Sequence, residues 1–487
     1  MPALHRSLRF WGALALGLSV MAPTLALSLN GAAPAASVGR AVPLVFLLGG
    51  IGMAFIAYGF AVLTRRYNHA GSAYALVGAS LGPRPGFFSG FALLGYYSFS
   101  TICTVPATAL FAQAFLGSIG INHIPWLPLG IAGAVIAAWL SARDTRSAVR
   151  TLLTLEGIGV ALIVVLVIVI FAKILGGTAP GHQSFTLSVF TLPAHTHLNT
   201  LGGAIVFACL SWAGFEAIAT LGEETADPRR NIPRALVGAI GLTLPIFVVV
   251  MVAESLGFGT GHAGASAFAG SSAPLGDLAK SYVGSWASTG LLLVATASAF
   301  ASLLGSCTAA SRMLFAFSRD GFGPSVLSKL SRTGVPAAAA IMILVIAVVV
   351  SSFMDLNGTS AINAYFYYAT VGVLCLLVAY AMVGIAAAYY IVRSGAGQPI
   401  AAVPAAIGTV FAGYVYYVQS TGQPSPYNLF PYFAGAWCLL GIAVVLARPR
   451  LASRIGVRLA QELEVTDDRP TRAVGAVPSG SSPERSA

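Results

Sequence analysis

Long apolar runs follow one another along most of this chain, and short clusters of arginine separate them. Only 8% of the 487 residues are charged, whereas 57% are hydrophobic. A soluble domain carries roughly 25% charged residues, so a chain this apolar could not cover its surface with groups that water solvates. Each membrane crossing takes about 20 apolar residues. The sequence therefore predicts an all-α polytopic membrane protein with about 12 transmembrane helices.

The predicted helices fall into three blocks between two polar ends. The first run is longer than the apolar region of a secretory signal, so we interpret it as a membrane helix instead of a cleaved signal. The spans are predicted at residues 10–36, 42–64, 86–117, 126–140, 147–175, 201–222, 235–258, 286–317, 335–354, 361–392, 400–418 and 429–446. The blocks are residues 10–175 with helices one to five, 201–392 with helices six to ten, and 400–446 with the last two.

Basic residues set the predicted orientation. Cytoplasmic loops of membrane proteins carry an excess of lysine and arginine, and with the N-terminus inside only Arg40, Lys173 and Lys280 fall on the outer side. Residues 1–9 are then a cytoplasmic N-terminus, and residues 447–487 a cytoplasmic tail whose last, Pro-, Gly- and Ser-rich stretch is predicted to be disordered. The multi-pass chain is expected in the cytoplasmic (inner) membrane. Because the net charge of +11 is spread over these loops, we expect lipid and no nucleic acid as its partner.

Two of the predicted helices contain interruptions. Pro23 lies near the middle of the first helix and removes one amide donor. The sixth contains Gly214 close to Glu216, an acidic residue at membrane depth. Helices one and six are five apart, which fits two inverted five-helix repeats that each begin with a discontinuous helix. The alternative is that Pro23 is an ordinary kink and Gly214 a close-packing position.

A pair of facing breaks would suit a substrate with two opposite charges. Free N–H groups at the start of one half-helix attract an anion, and free carbonyls at the end of the other attract an ammonium group. An α-amino acid carries both groups on one carbon. We therefore expect amides around Pro23–Ala26 to hold its carboxylate and carbonyls around Leu210–Ala213 its amine. The predicted substrate-binding residues are Ala22, Pro23, Thr24, Leu25, Ala26, Leu210, Ser211, Trp212, Ala213 and Gly214.

The loop after the sixth helix carries the most specific motif in the chain. It reads Gly-Glu-Glu-Thr-Ala-Asp-Pro-Arg-Arg-Asn-Ile-Pro-Arg-Ala from Gly222 to Ala235, after Ser-Trp-Ala-Gly-Phe-Glu at 211–216. These residues resemble the sixth helix and following loop of the amino acid–polyamine–organocation permeases. His-Ala-Gly-Ser-Ala-Tyr at 69–74, Ser-Arg-Asp-Gly at 318–321 and Val335-Pro336 agree with that family too.

The resemblance implies a transporter with the five-plus-five inverted-repeat fold and two further helices at its C-terminal end. Helices three, eight and ten would close around the substrate. Tyr96, Tyr97 and Ser98 lie in helix three, where the family packs an aromatic side chain over it. Glu216 matches a family glutamate that is associated with proton-sensitive gating. Its alternative role is that of a structural hydrogen-bond acceptor. Some proton-coupled relatives place a lysine in helix five where this chain has Glu156, so that coupling scheme does not transfer. Glu156 could itself take up a proton or cap the cytoplasmic entrance of helix five.

Three further features complete the predicted picture. Trp212 is a candidate gate, the serines at 298, 302 and 306 mark one polar face of helix eight, and Glu254 is expected to be solvated near the outer end of helix seven. No cofactor and no metal site are expected, and nothing in the pattern suggests an enzyme. The sequence thus predicts a secondary active transporter of amino acids, with protons as the possible coupling ion. The alternatives are a permease for polyamines or organic amines and an amino-acid exchanger.

Overall fold

The computed structural model describes residues 9–67, 72–141, 146–194, 196–223, 225–319, 321–331, 335–394 and 398–447. Within these ranges the chain forms helices and no β-strand, which confirms the predicted all-α class. The predictions for the cytoplasmic N-terminus and for the tail lie outside the described residues, apart from Arg9 and Ala447.

Seventeen α-helices are present in the described part of the chain. In chain order they are α1 (Phe10–Met21), α2 (Pro23–Leu29), α3 (Ala32–Val38), α4 (Val42–Thr64), α5 (Ser72–Leu81), α6 (Pro83–Ser118), α7 (Trp126–Ser141), α8 (Arg146–Leu175), α9 (Leu198–Trp212), α10 (Pro228–Phe258), α11 (His262–Gly270), α12 (Pro274–Tyr282), α13 (Ser285–Arg319), α14 (Ala337–Leu356), α15 (Ala361–Ser394), α16 (Val403–Ser420) and α17 (Phe430–Ala447). Short 3₁₀ helices lie at Gly39–Ala41, Leu187–Phe190, Phe215–Glu223, Ser325–Ser328, Pro399–Ala402 and Tyr427–Leu429.

Ten helical segments of the described chain are long and apolar enough to cross a membrane. They are Pro23–Thr64, Pro83–Ser118, Thr151–Leu175, Leu198–Leu221, Pro228–Phe258, Ser285–Arg319, Ala337–Leu356, Ala361–Arg393, Pro399–Ser420 and Tyr427–Ala447. The first has 42 residues, and a helix of that length measures roughly 60 Å, about twice the hydrocarbon thickness of a bilayer. It therefore holds enough chain for two crossings. The apolar helix Trp126–Ser141 is shorter and coincides with the predicted fourth span.

The first predicted helix is divided into three pieces. α1, α2 and α3 succeed one another between Phe10 and Val38, with interruptions at Ala22 and at the Asn30–Gly31 pair. The sequence indicates the first interruption through Pro23 but gives no sign of the second. A membrane-spanning chain tolerates such breaks only where its free backbone groups are buried in protein or line a cavity. The two breaks therefore make this helix a candidate location for a functional site.

Several other boundaries differ from the prediction. α10 begins at Pro228, so Arg229, Arg230 and Arg234 are helical and do not belong to a loop. Proline fits the first turn of a helix because that position needs no amide donor. Three helices, α5, α11 and α12, were not predicted. Each has ten residues or fewer, too short to give the apolar run by which membrane helices are recognised.

The core is built around two of the longest helices. α6 and α15 pack against each other, and α13 lies on α6. The short half-helix α2 contacts α8, α9, α12 and α13. The broken first helix is thereby held between the elements that carry Glu156, Trp212 and Ser298.

Candidate functional site

The first helix breaks at Ala22. α1 ends at Met21 and α2 begins at Pro23, while Ala22 has a left-handed backbone with φ 47° and ψ 62°. Alanine rarely adopts this conformation. The following proline has no N–H and so cannot continue the hydrogen-bond ladder across the break. The interruption indicated by Pro23 is present in the structure.

A second break follows α9. That helix ends at Trp212, Ala213 has an extended ψ of 134°, and the chain continues as the 3₁₀ helix Phe215–Glu223. Gly214 has φ 104°, which favours glycine. A Cβ at Gly214 would lie 3.1 Å from the carbonyl oxygen and from Cγ1 of Val20. The break in α9 therefore lies directly against the end of α1.

A small cavity of about 30 Å³ lies beside the two breaks. It has room for a few water molecules at most, so this space is nearly closed in the structure. Its walls come from the first and sixth predicted helices and from α6, α13 and α15. The lining residues are Val20, Met21, Leu25, Ala26, Asn30, Tyr96, Ser100, Cys103, Thr104, Leu210, Ala213, Ser302 and Tyr365. None of them is charged.

The amides at the start of α2 already have partners. The Thr24 amide donates to Glu156 Oε1 at 2.7 Å, and the Leu25 amide donates to the Ser298 hydroxyl at 3.1 Å. The Ala26 amide donates to the Ala22 carbonyl, and Pro23 has no N–H. A carboxylate of the protein itself thus occupies the place at the helix N-terminus where the sequence predicts the substrate's carboxylate.

Glu156 reaches α2 because α8 approaches it closely. A Cβ at Gly159, one turn along α8, would lie 2.5 Å from the Thr24 hydroxyl, so only glycine permits this approach. The second oxygen of Glu156 and the Thr24 hydroxyl have no hydrogen-bond partner among the described residues. Glu156 does not line the cavity, so it holds α2 from the side facing α8.

Glu216 receives three hydrogen bonds and is completely buried. The Tyr97 hydroxyl donates to Oε1 at 3.0 Å, while the Tyr380 hydroxyl and the Gly214 amide donate to Oε2 at 2.6 and 2.9 Å. The carboxyl group therefore connects the break after α9 to α6 and α15. Tyr97 is engaged in this contact and does not line the cavity, whereas its neighbour Tyr96 does.

Asn30 joins the first helix to two others at the edge of the cavity. Its Nδ2 donates to the Ser211 hydroxyl at 2.9 Å, and its Oδ1 accepts from the Tyr365 hydroxyl at 2.8 Å. Asn30 was not predicted, although an amide side chain inside an apolar span is itself a signal for a buried contact. Ser100, Cys103 and Thr104 on α6 were missed as well, because small polar residues are common in packed membrane helices.

Eight of the predicted binding residues divide into two sets. Leu25, Ala26, Leu210 and Ala213 line the cavity, whereas Ala22, Pro23, Thr24 and Gly214 form the breaks without lining it. Trp212 lies on another face of α9. Its indole N–H donates to Thr243 at 2.8 Å, and its ring packs against Phe46 and Phe247.

Glu254 is not solvated, so the prediction for this residue is wrong. Its side chain is 0% exposed, and neither carboxyl oxygen has a hydrogen-bond partner among the described residues. The prediction failed because α11 and α12 fold back over the end of α10 and cover it. Phe268 of α11 stacks on Phe258 at the end of α10. Deep carboxyl groups therefore occur at three positions in the described chain, and not at Glu156 and Glu216 alone.

Comparison with known proteins identifies the family of this chain. The model of the family described as amino acid permease matches residues 13–416. The chain belongs to the amino acid permease family. Its members are transporters and not enzymes, in agreement with the prediction, and the many apolar helices of this permease are those of a multi-pass membrane protein.

The relatives of this permease are named for different substrates. It is 26% identical over 358 residues to a branched-chain amino acid permease of Lactococcus lactis, covering 70% of this chain and 74% of the relative. It is 26% identical over 366 residues to a low-affinity putrescine importer of Escherichia coli, covering 74% and 77%. A mitochondrial cationic amino acid transporter of Arabidopsis thaliana is 26% identical over 357 residues, with 70% and 57% covered.

Proposed function

We propose that this permease is a secondary active transporter of amino acids that works by alternating access across the cytoplasmic membrane. In this proposal the chain crosses the membrane twelve times, with both termini in the cytoplasm. Helices one to five and six to ten form two inverted repeats, and the last two helices stand outside them. The family membership and the basic residues between apolar segments support this arrangement.

The observation that carries the proposal is the shared cavity between two broken helices. The end of α1 and the end of α9 meet at Val20 and Gly214, and both segments contribute neutral residues to the cavity wall. Breaks of this kind at membrane depth are where transporters hold polar substrates. Residues Leu25, Ala26, Leu210 and Ala213 would contact the substrate, and the carbonyl groups at the end of α9 would accept from its amine.

The wall of the cavity favours a neutral side chain on the substrate. Its polar groups are hydroxyl, thiol and amide groups, and it contains no carboxylate to receive a distal ammonium group. A relative that is named as a branched-chain amino acid permease is consistent with such a wall. We therefore propose a small or branched neutral amino acid, with leucine as the first compound to test.

A permease for organic amines is the second candidate, and one observation favours it. Between Pro23 and Ala26 every amide is absent or engaged, so the carboxylate of an amino acid would have to displace Glu156 or Ser298. An amine without a carboxylate would meet no such competition. The putrescine importer among the relatives is consistent with this candidate.

Glu156 and Glu216 are proposed as gating groups, with a proton gradient as the energy source. Each fixes one broken helix to its neighbours through its carboxyl oxygens. If either bond breaks, the half-helix it holds can move relative to the bundle. Buried ionisable groups of membrane proteins commonly take part in proton movement.

Uptake into proteoliposomes tests the proposal and separates the two candidates. Leucine, 3-methylbutylamine (leucine without its carboxylate), arginine and putrescine are compared with an imposed pH gradient, with and without sodium. We expect leucine to be taken up at least tenfold faster than the other three. Faster uptake of 3-methylbutylamine would favour the amine candidate, and uptake of none of them would contradict both.

Ser302→Phe tests the location of the site. The new ring would fill the cavity, so we expect uptake to fall at least tenfold while the protein still elutes as a folded species. Ala132→Phe is the matched control, since Ala132 lies on the exposed face of α7. Equal uptake by the two variants would place the substrate elsewhere.

A further inference from the structure

Glu254 is a buried carboxyl group that the proposed substrate site does not use. It lies near the end of α10, fully enclosed, with both oxygens unpartnered among the described residues. An ionised carboxylate without any donor is strongly disfavoured in such surroundings, whereas the neutral acid is tolerated. The groups around Glu254 therefore determine whether it is neutral or ionised.

Gly31, an aromatic ring and a thioether lie close to this carboxyl. A Cβ at Gly31 would lie 2.8 Å from Glu254 Oε2, 2.6 Å from the Phe268 ring and 3.0 Å from the Met251 sulfur. The absent side chain at Gly31 thus makes room for the carboxyl group against the joint between α2 and α3. An aromatic ring and a thioether complete this wall.

No positive charge neutralises Glu254 in the described part of the chain. The ionisable side chains on the segments packed against this end of α10 are Arg40, Lys173, His262, Asp277, Lys280, Tyr282 and His182, which is exposed. Arg40 donates to the Ser188 carbonyl and Lys173 to the Tyr282 carbonyl. Asp277 accepts from Ser271, and the Tyr282 hydroxyl is directed at Gln183 and the Gly257 carbonyl. His262 and Lys280 are exposed.

The carboxyl group lies beside a residue that is the sequence neighbour of a cavity-lining residue. Gly31, which lies beside it, directly follows Asn30, and Asn30 lines the cavity while bonding to Ser211 and Tyr365. A movement of α2 and α3 that opens the cavity would also pull the backbone away from Glu254. Water could then reach the carboxyl group, and the proton could leave or enter.

We propose that Glu254 is a proton-binding site of this permease, loaded while the cavity is closed and in exchange with solvent when the α2–α3 joint moves. The proposal rests on the proposed transport function, because the proton bound at Glu254 is the one that is coupled to substrate movement. The event is the binding and release of one proton by a carboxylate. It differs from the bonds of Glu156 and Glu216, which hold the broken helices in place.

Infrared spectroscopy of the full-length protein in a detergent without ester groups tests the site without any substrate. A protonated carboxylic acid has a C=O stretch that is separate from the bands of carboxylates and amides. We expect this band at pH 7 in the wild type, its loss in Glu254→Gln and in Glu254→Met, and its persistence in Glu156→Gln and Glu216→Gln. A band that survives both Glu254 variants, or its absence in the wild type, would overturn the proposal.

Transport measurements test the coupling. In Glu254→Gln we expect exchange of internal for external substrate to persist, because it needs no net proton movement, and pH-gradient-driven accumulation to fall at least tenfold. The probe is whichever of leucine, 3-methylbutylamine, arginine and putrescine the wild type accumulates fastest. Accumulation equal to that of the wild type would overturn the coupling role.

The remaining outcomes distinguish a failure of the proposed transport function from a failure of the proton site. If the wild type transports none of the four compounds, the proposed function fails while the infrared result still decides the proton site. If the wild type exchanges substrate without any response to a pH gradient, the coupling role is wrong. A neutral, unpartnered acid should be replaceable by Gln or Met, so failure of both variants to fold would contradict the proposal.

Discussion

Glu156 shows at the scale of one residue how a membrane protein satisfies a broken helix. Its Oε1 accepts the Thr24 amide at 2.7 Å, next to the Ser298 hydroxyl that accepts the Leu25 amide. Carboxylates stabilise a helix N-terminus through both the hydrogen bond and the helix dipole. The same two properties would attract the carboxylate of a substrate, so in the proposed function the protein and its substrate would compete for one set of donors.

The pair Glu156→Gln and Glu156→Ala tests this competition. The glutamine oxygen can still accept the Thr24 amide, whereas alanine leaves that amide without a partner at a cost of about 1–3 kcal/mol. We therefore expect a lower unfolding temperature in detergent for the alanine variant only. We also expect that variant to gain about tenfold in apparent affinity for leucine relative to 3-methylbutylamine, the equivalent of ~1.4 kcal/mol. An unchanged ratio in both variants would show that the substrate does not use the Thr24 amide.

Individual residues were predicted with mixed results, for physical reasons. Pro23 and Gly214 have backbone requirements that are visible in the sequence, and both lie at breaks in the structure. Asn30 and Glu254 depend on what the chain packs against them, which no local pattern records. Glu254 lies near a helix end, where exposure is the ordinary expectation, and two later short helices reverse it.

At the scale of elements, the break after α9 depends on the backbone of Gly214. Its φ of 104° is sterically unfavourable for other residues, and a Cβ would lie 3.1 Å from Val20. Gly214→Ala should therefore cost about 1–3 kcal/mol in strain and reduce transport by an order of magnitude. The Glu216 bond to the Gly214 amide would be distorted at the same time.

Gly241→Ala is the matched control for this prediction. Gly241 lies inside α10, its φ is not positive, and a Cβ there meets no atom within 4 Å. Alanine is favoured over glycine in helices by about 1 kcal/mol, so this variant should be as stable as the wild type or more so. Thermal unfolding and uptake of the two variants are compared directly, and equal behaviour would show that the positive φ at Gly214 is dispensable.

Elements were predictable in proportion to their length. The long apolar segments give a clear pattern because each must satisfy its own backbone within lipid. The short helices α5, α11 and α12 carry no such pattern and were not predicted. α10 extends seven residues before its predicted start at 235, because the Asp-Pro pair at 227–228 begins a helix that continues through its arginines.

At the scale of the whole molecule, the closed cavity makes this structure one state of the cycle in the proposed function. A volume of about 30 Å³ cannot hold an amino acid, so in that proposal the helices around the cavity would separate before a substrate enters. The broken helices would provide the movable parts, since each half is held by a few side-chain bonds and not by a continuous ladder. Composition and apolar runs predict the membrane-embedded class, whereas the state of the cavity follows only from packing.

Cys103 offers a direct measure of that separation. The five cysteines of the chain are all free and buried, and Cys103 alone lines the cavity. A variant in which the other four are replaced by alanine should react slowly with a membrane-permeant maleimide while the cavity is closed. We expect the rate to rise several-fold when the substrate cavity opens during turnover, and to fall again at saturating substrate, which would shield the thiol.

The control for this measurement retains Cys209 as the single cysteine. Cys209 lies on α9, three residues before Trp212, and is as deeply buried as Cys103 but does not line the cavity. Its reaction with maleimide should be slow and independent of substrate. Because both thiols are almost completely buried, a general loosening of the protein would accelerate the reaction of both. Only a cavity that opens and closes around its substrate changes the reaction of Cys103 alone, and identical rates for the two thiols would contradict alternating access at this site.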